Sequence, residues 1–266
     1  METCHNCGCK FSQLSQHWRR SDCPQPQLTQ KQWDILNGLM LGDARLVDKK
    51  GRKPYISVSN TSQKFLQWFN NIMGQLTTGV KEHREKQKEH HAQLYYCNTR
   101  THSEFNKFSS WYQGSTKKPP KIEFNPLVVK CWYVSDGTVA TPDHARPTVR
   151  FCSRKSENVK ENMREPFLEF GFSPTWSGSQ LVFDASESRR LLEWMGDPLP
   201  GFTYKWPSEP DIENTYSMPD KRQWKDKEEF YSLRYEQDFT YSEMAEKWDC
   251  SISTVHKWDE KYDFPP

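Results

Sequence analysis

Two aspartates stand where an aspartate is costly. Residues 35–42 (ILNGLMLG) are apolar nearly all round, as in a buried helix, and end at Asp43; PLVVKCWYVS, residues 126–135, has the same character and ends at Asp136. A carboxylate at a helix C-terminus meets the negative end of the helix dipole, and beside buried surface it loses solvation, so each acid needs a compensating cation. Paired carboxylates holding divalent cations supply much of what phosphodiester hydrolysis requires: a nucleophilic water, neutralised charge on the pentavalent phosphate and help for the leaving oxygen. Magnesium suits an oxygen-ligand site that keeps waters. A lone Asp ahead of a strand is more commonly a cap or turn residue. Here two occur, from 43 to 136 an offset of 93, and that offset recurs elsewhere in the chain.

A second constellation lies at the N-terminus, where four of the eight cysteines (Cys4, Cys7, Cys9 and Cys23) fall within 23 residues. The chain starts without an apolar leader, so it is expected inside a cell, in cytoplasm or nucleoid with an organelle left open. In that setting a cysteine cluster reads as metal binding before disulfides. Cys4, Cys7, His17 and Cys23 form a C-x2-C-x9-H-x5-C array, three thiolates and one imidazole for a tetrahedral structural zinc ion, with Cys9 and His5 as alternative ligands. The segment resembles a shortened CCHC zinc finger, with Phe11 and Leu14 as its miniature core. Trp18, Arg19 and Arg20 beside His17 offer a stacking surface and two charges suited to a phosphate backbone.

The elements that must position the aspartates repeat. After Asp43 come two alternating strands about a turn (ARLVDKK, GRK, PYISVSN), an amphipathic helix (SQKFLQWFNNIM), a second strand pair (GVKEHREKQ, HAQLYYCNTRT) and a further helix (HSEFNKFSSWYQ). After Asp136 the order returns through PTVRFCS, the helix SENVKENMREPFLEFGF, the strands SPTWS and QLVFDAS, and the helix SRRLLEWM. The same offset carries Ile56 to Val149, Val58 to Phe151 and Asn60 to Ser153. One and five residues before each Asp the helix is small, Gly42 and Gly38 in one copy, Ser135 and Cys131 in the other. Two such helices can pack closely about a pseudo-twofold axis with both acids at one end.

With these motifs in view, the chain resembles a single-chain, two-motif LAGLIDADG homing endonuclease of the free-standing, intron-encoded subgroup. LNGLMLGDA (36–44) and VKCWYVSDG (129–137) match the two family motifs, although position six is Leu41 or Val134 rather than acidic. NTRTHSEFNKFSSWY followed by TKKPP, and TYKWP (203–207), resemble segments of that subgroup. The resemblance implies an α+β fold of two αββαββα halves forming a DNA-binding β-saddle, acting as a monomer that hydrolyses both strands of a long duplex target. It implies two or more magnesium ions held by Asp43, Asp136 and the backbone of Gly42 and Ser135, with Lys118 and Lys205 as active-site lysines. A non-cleaving transcription regulator or RNA-splicing maturase on the same scaffold is the alternative; retention of both acids favours the nuclease.

On such a saddle the β-ribbons enter the major groove. Candidate contacts are Arg45, Lys49, Lys50, Arg52 and Lys53, then Lys81, His83, Arg84, Lys86 and Lys88, and in the second half Arg146, Arg150, Arg154 and Lys155. After Trp206 a proline-bearing polar linker leads to a segment resembling a helix-turn-helix, with YSEMAEKW as first helix and SISTVHKW as recognition helix, where Ser251, Ser253, Thr254, His256 and Lys257 would face DNA. The expected organisation is a finger over 1–25, nuclease halves over 26–113 and 114–206, a linker over 207–224 and the helix-turn-helix over 225–266. Net charge is only +2, but residues 207–266 carry 8 basic and 15 acidic side chains, leaving 29 basic against 20 acidic on residues 1–206. The finger and nuclease body is therefore basic, as a phosphate backbone requires. No run approaches the roughly 18 apolar residues of a membrane span, so no membrane partner is expected.

Overall fold

A computed structural model of the chain describes residues 1–49, 51–83, 93–140, 147–152, 157–207, 227–248, 255, 259 and 262, apart from the side chains at 19, 157, 158 and 246. Residues 1–212 and 213–266 are two separate compact units. Among the described residues no helix is long and apolar enough to cross a membrane.

The first unit opens with a small ribbon, β1 (Glu2–Thr3) against β2 (Lys10–Phe11), and a short helix α1 (Leu14–Arg20). Then follow α2 (Gln30–Leu41), β3 (Arg45–Val47), β4 (Tyr55–Asn60), α3 (Gln63–Met73), β5 (Thr77–Glu82), β6 (Tyr95–Thr99), a 3-10 helix over Ser103–Trp111 and a hairpin of β7 (Tyr112–Gln113) and β8 (Thr116–Lys117). The order repeats as α4 (Pro126–Asp136), β9 (Gly137–Ala140), β10 (Thr148–Cys152), α5 (Glu157–Leu168), β11 (Thr175–Ser177), β12 (Gln180–Val182) and α6 (Ala185–Met195), closing on a 3-10 turn at Thr203–Lys205. The two large sheets are antiparallel with the same strand order, β3-β4-β6-β5 and β9-β10-β12-β11. The duplication expected from the 93-residue offset is therefore a duplication of topology.

The helices that build the two motifs and close the second half start where the chain supplies a cap. Thr29 and Gln32 make a reciprocal capping box for α2; Asn125 accepts from the Leu127 and Val128 amides ahead of α4, with Pro126 in its first turn; Asp184 accepts from the Glu187 amide at the start of α6. Alternation along β4 and β10 buries Ile56 and Val58, then Val149 and Phe151, in one continuous core with Phe65, Phe69, Trp132, Phe167 and Phe183. The repeat extends to polar detail. The Ile56 amide donates to Thr99 Oγ1 and the Val149 amide to Ser188 Oγ, each at 2.8 Å, so positions equated by the offset share one solution for a buried N–H.

The segment HSEFNKFSSWYQ, expected as an ordinary helix, is instead 3-10. Phe105, Phe108 and Trp111 recur every three residues and all are buried, which a helix of three residues per turn achieves on one face.

The axis of the unit is the contact between α2 and α4. A Cβ on Gly38 would lie 2.2 Å from the Val128 carbonyl oxygen and 2.6 Å from Cys131 Cβ, and one on Gly42 would lie 2.4 Å from Ser135 Cβ. The small residues of the two motifs thus face one another, backbone against side chain.

The N-terminal segment is fixed to the first half by polar contacts. The largely buried Arg100 donates to the Gln75 carbonyl (2.9 Å), Ser15 Oγ (3.3 Å) and Glu2 Oε1 (2.5 Å). Gln75 also bonds the backbone of Thr3 and His5, and Gln25 Nε2 donates to the Thr101 carbonyl at 2.8 Å. His102 is buried with Nε2 facing the Pro26 carbonyl at 3.2 Å and Nδ1 accepting from the Glu104 amide at 3.3 Å, which the neutral Nε2–H tautomer satisfies. Burial holds this imidazole below the ordinary histidine range, Glu104 opposing and Lys53 assisting.

In the second unit, α7 (Lys227–Tyr231) continues into a π-helical turn over Ser232–Glu236, and α8 (Tyr241–Lys247) follows. Phe230, Leu233, Met244, Ala245 and Val255 form its core. Thr240 caps α8, exchanging bonds with Glu243.

Two outcomes test this packing. Gly38→Ala would gain helix propensity on an exposed helix; here it is expected to lower unfolding free energy by about 2 kcal/mol through overpacking, read from urea denaturation. His102 in the unfolded chain protonates as pH falls through its ordinary value, ahead of the folded form. Its contribution to stability is therefore complete above about pH 6.5 and declines below it, a decline that His102→Gln should flatten in urea midpoints measured against pH.

Candidate active site and nucleic-acid face

Helices α2 and α4 end at the same place. A Cβ on Gly42 would be 3.6 Å from Asp136 Cγ, which sets the second acid beside the residue preceding the first. Asp43 is exposed and Asp136 half-buried. Lys205, 9% exposed, lies within the field of both carboxylates. Its Nζ donates to the carbonyls of Gly137 (2.7 Å), Val134 (2.9 Å) and Tyr133 (3.2 Å) around the end of α4. Burial pulls its ammonium down to about 8, against the raising influence of Asp43, Asp136 and Cys152. The Tyr133 hydroxyl, pushed up by burial, donates to the Lys205 carbonyl at 2.9 Å and fixes the turn that carries the lysine.

The equivalent at α2 is Lys117. Its Nζ donates to the Gly42 carbonyl at 2.5 Å and the Ala44 carbonyl at 2.8 Å, on either side of Asp43. Lys118, the residue expected here, instead donates to Gln113 Oε1 at 2.6 Å. The reason is local: YQ-GS-TK closes as a tight hairpin with Gly114 at φ +61, pairing Lys117 with Tyr112. The Tyr112 hydroxyl accepts from the Leu46 amide at 3.1 Å and so holds the hairpin against the strand leaving Asp43. That hairpin signal was available in the sequence. The Gly42 carbonyl, expected as a metal ligand, is occupied by Lys117, while Ser135 Oγ donates to the Cys131 carbonyl at 3.2 Å.

The outer face of the first sheet forms a trough of about 360 Å3 lined among others by Arg45, Tyr55, Ser57, Ser59, Tyr96 and Asn98. Asn98 Oδ1 is buried there without a hydrogen-bond partner. Of the cationic residues expected on this face, Arg45 sits opposite Ser57 and Lys81 opposite Tyr96, while Lys49, Arg52 and Lys53 belong to the β3–β4 turn. On β10, Arg150 lies between Thr138 and Val182. The expected contacts Arg84, Lys86, Arg146, Arg154, Lys155, Ser253, Thr254, His256 and Lys257 lie outside the described residues. Counting cations alone misses Tyr55, Ser57, Ser59, Tyr96 and Asn98; strand alternation opposite buried Ile56, Val58 and Cys97 locates them.

The ligand atoms of Cys4, Cys7, His17 and Cys23 lie within 4.8 Å of one another. Cys4 Sγ is 3.7 Å from Cys23 Sγ, and Cys7 Sγ is 3.4 Å from His17 Nε2. A tetrahedral ion with bonds of about 2.3 Å to sulfur separates two sulfurs by about 3.8 Å, so the donor set fits zinc. His17 Nδ1 meets Ser21 Oγ at 3.1 Å, which leaves Nε2 to face the cluster. Burial alone would raise the Cys4 thiol, but the Trp18 indole and the Cys7 and Asn6 amides hold it at about 6, whereas burial and the bond to Cys4 push Cys23 to about 12. Cys9, outside this set of four, donates to the Cys7 carbonyl at 3.6 Å, and its thiol is pushed up by the neighbouring Cys7.

Three solved structures are similar to this chain to differing degrees. The homing endonuclease I-WcaI bound to its DNA recognition sequence aligns with 68% of this chain and 88% of its own, at 12% identity and a TM-score of 0.59. Full-length DUF199/WhiA from Thermatoga maritima aligns with 90% of this chain and 92% of its own at 12% identity and a TM-score of 0.41; the N-terminal LAGLIDADG domain of DUF199/WhiA aligns with 77% and 98% at 12% identity and 0.43. No curated protein matches the chain. Over residues 33–167, however, the sequence fits the LAGLIDADG DNA endonuclease family, and the two αββαββα halves built around the α2–α4 contact make this chain a member of that family.

Proposed function

We propose that this protein is a site-specific endonuclease that lays duplex DNA across its two sheets and hydrolyses one phosphodiester bond in each strand. The observation that carries the reading is the shared end of α2 and α4, where two acids meet and each helix C-terminus holds a lysine ammonium on its last carbonyls. Asp43 and Asp136 would hold divalent ions, magnesium by donor type. Bound there, such ions polarise the phosphate and acidify a water. Lys117 and Lys205 place positive charge beside each acid, where it can stabilise charge developing on the phosphate. Arg45 on the sheet offers a guanidinium for guanine, beside Asn98 in the same trough.

The N-terminal segment is read as a structural zinc module held by Cys4, Cys7, His17 and Cys23. The C-terminal unit, in which Val255 packs with Met244 and Ala245, is read as an accessory helix-turn-helix. The binding-only alternative, a regulator or maturase, makes the opposite prediction about cut ends.

Selection from a randomised duplex library with magnesium, scoring cut ends, tests the main reading; retention of duplexes without cutting would leave only the binding one. On the selected site, Asp43→Asn and Asp136→Asn are each expected to slow cleavage on the order of a thousandfold while retaining affinity. Lys117→Met should cost about a hundredfold, and Lys118→Met should have little effect; the reverse order would return the role to Lys118. Cys4→Ser with Cys7→Ser is expected to abolish bound zinc in elemental analysis, and unchanged metal content would remove the zinc module.

A further inference from the structure

Between the N-terminal segment and the first nuclease half lies a cleft of about 550 Å3. One wall is the finger side, with Gln13, Gln16 and Trp18; the other is the β3–β4 turn, with Arg52 and Lys53, and Gln25 lies at the seam. Gln25 ties the walls together, accepting from Lys53 Nζ at 3.1 Å while donating to the Thr101 carbonyl. The described residues lining the cleft include two cations, amides and hydroxyls, and no carboxylate. That composition selects an anion rich in acceptor oxygens.

Its position says which. Arg45 pairs with Ser57 and Val47 with Tyr55, so β3 runs from Asp43 outward and the turn at 51–53 is the end of the sheet away from the acid. Asn98 pairs with Ser57, so β6 leaves the sheet at that same outer end, where Arg100, Thr101 and His102 anchor the N-terminal segment. A duplex lying along the trough of Arg45, Tyr55 and Ser57 continues past this turn. We propose that the cleft binds the phosphodiester backbone where the duplex leaves the first half of the saddle, the N-terminal segment and the β3–β4 turn acting as one composite phosphate clamp. The inference rests on the DNA-binding part of the reading above and not on cleavage.

Because the anchoring bonds are many and partly buried, the clamp is a fixed extension at one end. The footprint should therefore be longer on the side of the first half, with contacts that add affinity and no base preference. Trp18 ties the clamp to the cysteine cluster, since its indole N–H donates to Cys4 Sγ at 3.4 Å while the ring lines the cleft.

The test uses the full-length chain and the duplex recovered by binding selection, intact or trimmed by about one helical turn from either end, with Kd measured across a salt series. Trimming one end only is expected to weaken binding about tenfold and to make the log Kd against log salt slope shallower by about 2, close to 0.9 for each of two lost phosphate contacts. Arg52→Gln with Lys53→Gln, and separately Gln16→Glu on the finger wall, should bind intact and trimmed duplexes alike. Equal affinity of the wild-type chain for intact and trimmed duplexes overturns the clamp, as does an undiminished end effect in either variant. Cutting in magnesium is scored on the same duplexes. Binding with the end effect but without cutting would sink the nuclease reading and leave the clamp standing; cutting without an end effect would do the reverse.

Discussion

Everything else in the larger unit depends on how closely two helices approach. Gly38 meets the backbone of Val128, and Gly42 meets Ser135, at separations that leave no room for a methyl group. Only there can two helix ends bring acidic residues to one point while each helix still presents its other flanks to its own sheet. A wider crossing would move the acids apart and the sheets with them, since β3 and β9 start within four residues of the helix ends. Packing and chemistry are thus set by one contact, and the small residues of the two motifs are its cause.

That contact creates an electrostatic problem. Two helix C-termini and two carboxylates converge, and negative potential accumulates where solvent is partly excluded. The structure answers with Lys117 and Lys205, each bound to carbonyls at a helix end. Ammonium groups so placed offset the helix dipoles. Lys205 shows the cost: its burial lowers the ammonium to about 8 despite two acids nearby, so desolvation outweighs attraction.

Much of this was legible in the residues. The offset from Asp43 to Asp136 foretold two halves of one topology, and the Gly38/Gly42 and Cys131/Ser135 spacing foretold the crossing. The likeness of the TKKPP segment points to Lys118, whereas the pairing of the hairpin sets Lys117 on the Gly42 and Ala44 carbonyls and Lys118 on Gln113. The 3-10 helix was missed because Phe105, Phe108 and Trp111 fit a helical face at either period over so short a span. The docking of the N-terminal segment was not legible at all. It depends on Arg100 and Gln75 meeting residues 85 and more positions away from the former and about 70 from the latter, long-range polar pairs that no local pattern announces.

The two halves agree in backbone and differ in what they show to a ligand. At positions equated by the offset, Arg45 answers to Thr138 and Ser57 to Arg150, so the guanidinium sits on the outer strand in one half and on the neighbouring strand in the other. The lysine caps differ too, with Lys205 buried on three carbonyls and Lys117 half-buried on two. The anchored N-terminal segment has no counterpart that duplication supplies, because its partners Arg100 and His102 lie where the second half has Glu193 and Met195 inside α6. A symmetric scaffold with unlike surfaces would read an asymmetric sequence, since each base step meets a different side chain in each half. Pseudo-symmetry survives where geometry must be shared, at the helix crossing and the buried amides, and is lost where the molecule must tell one end of its partner from the other.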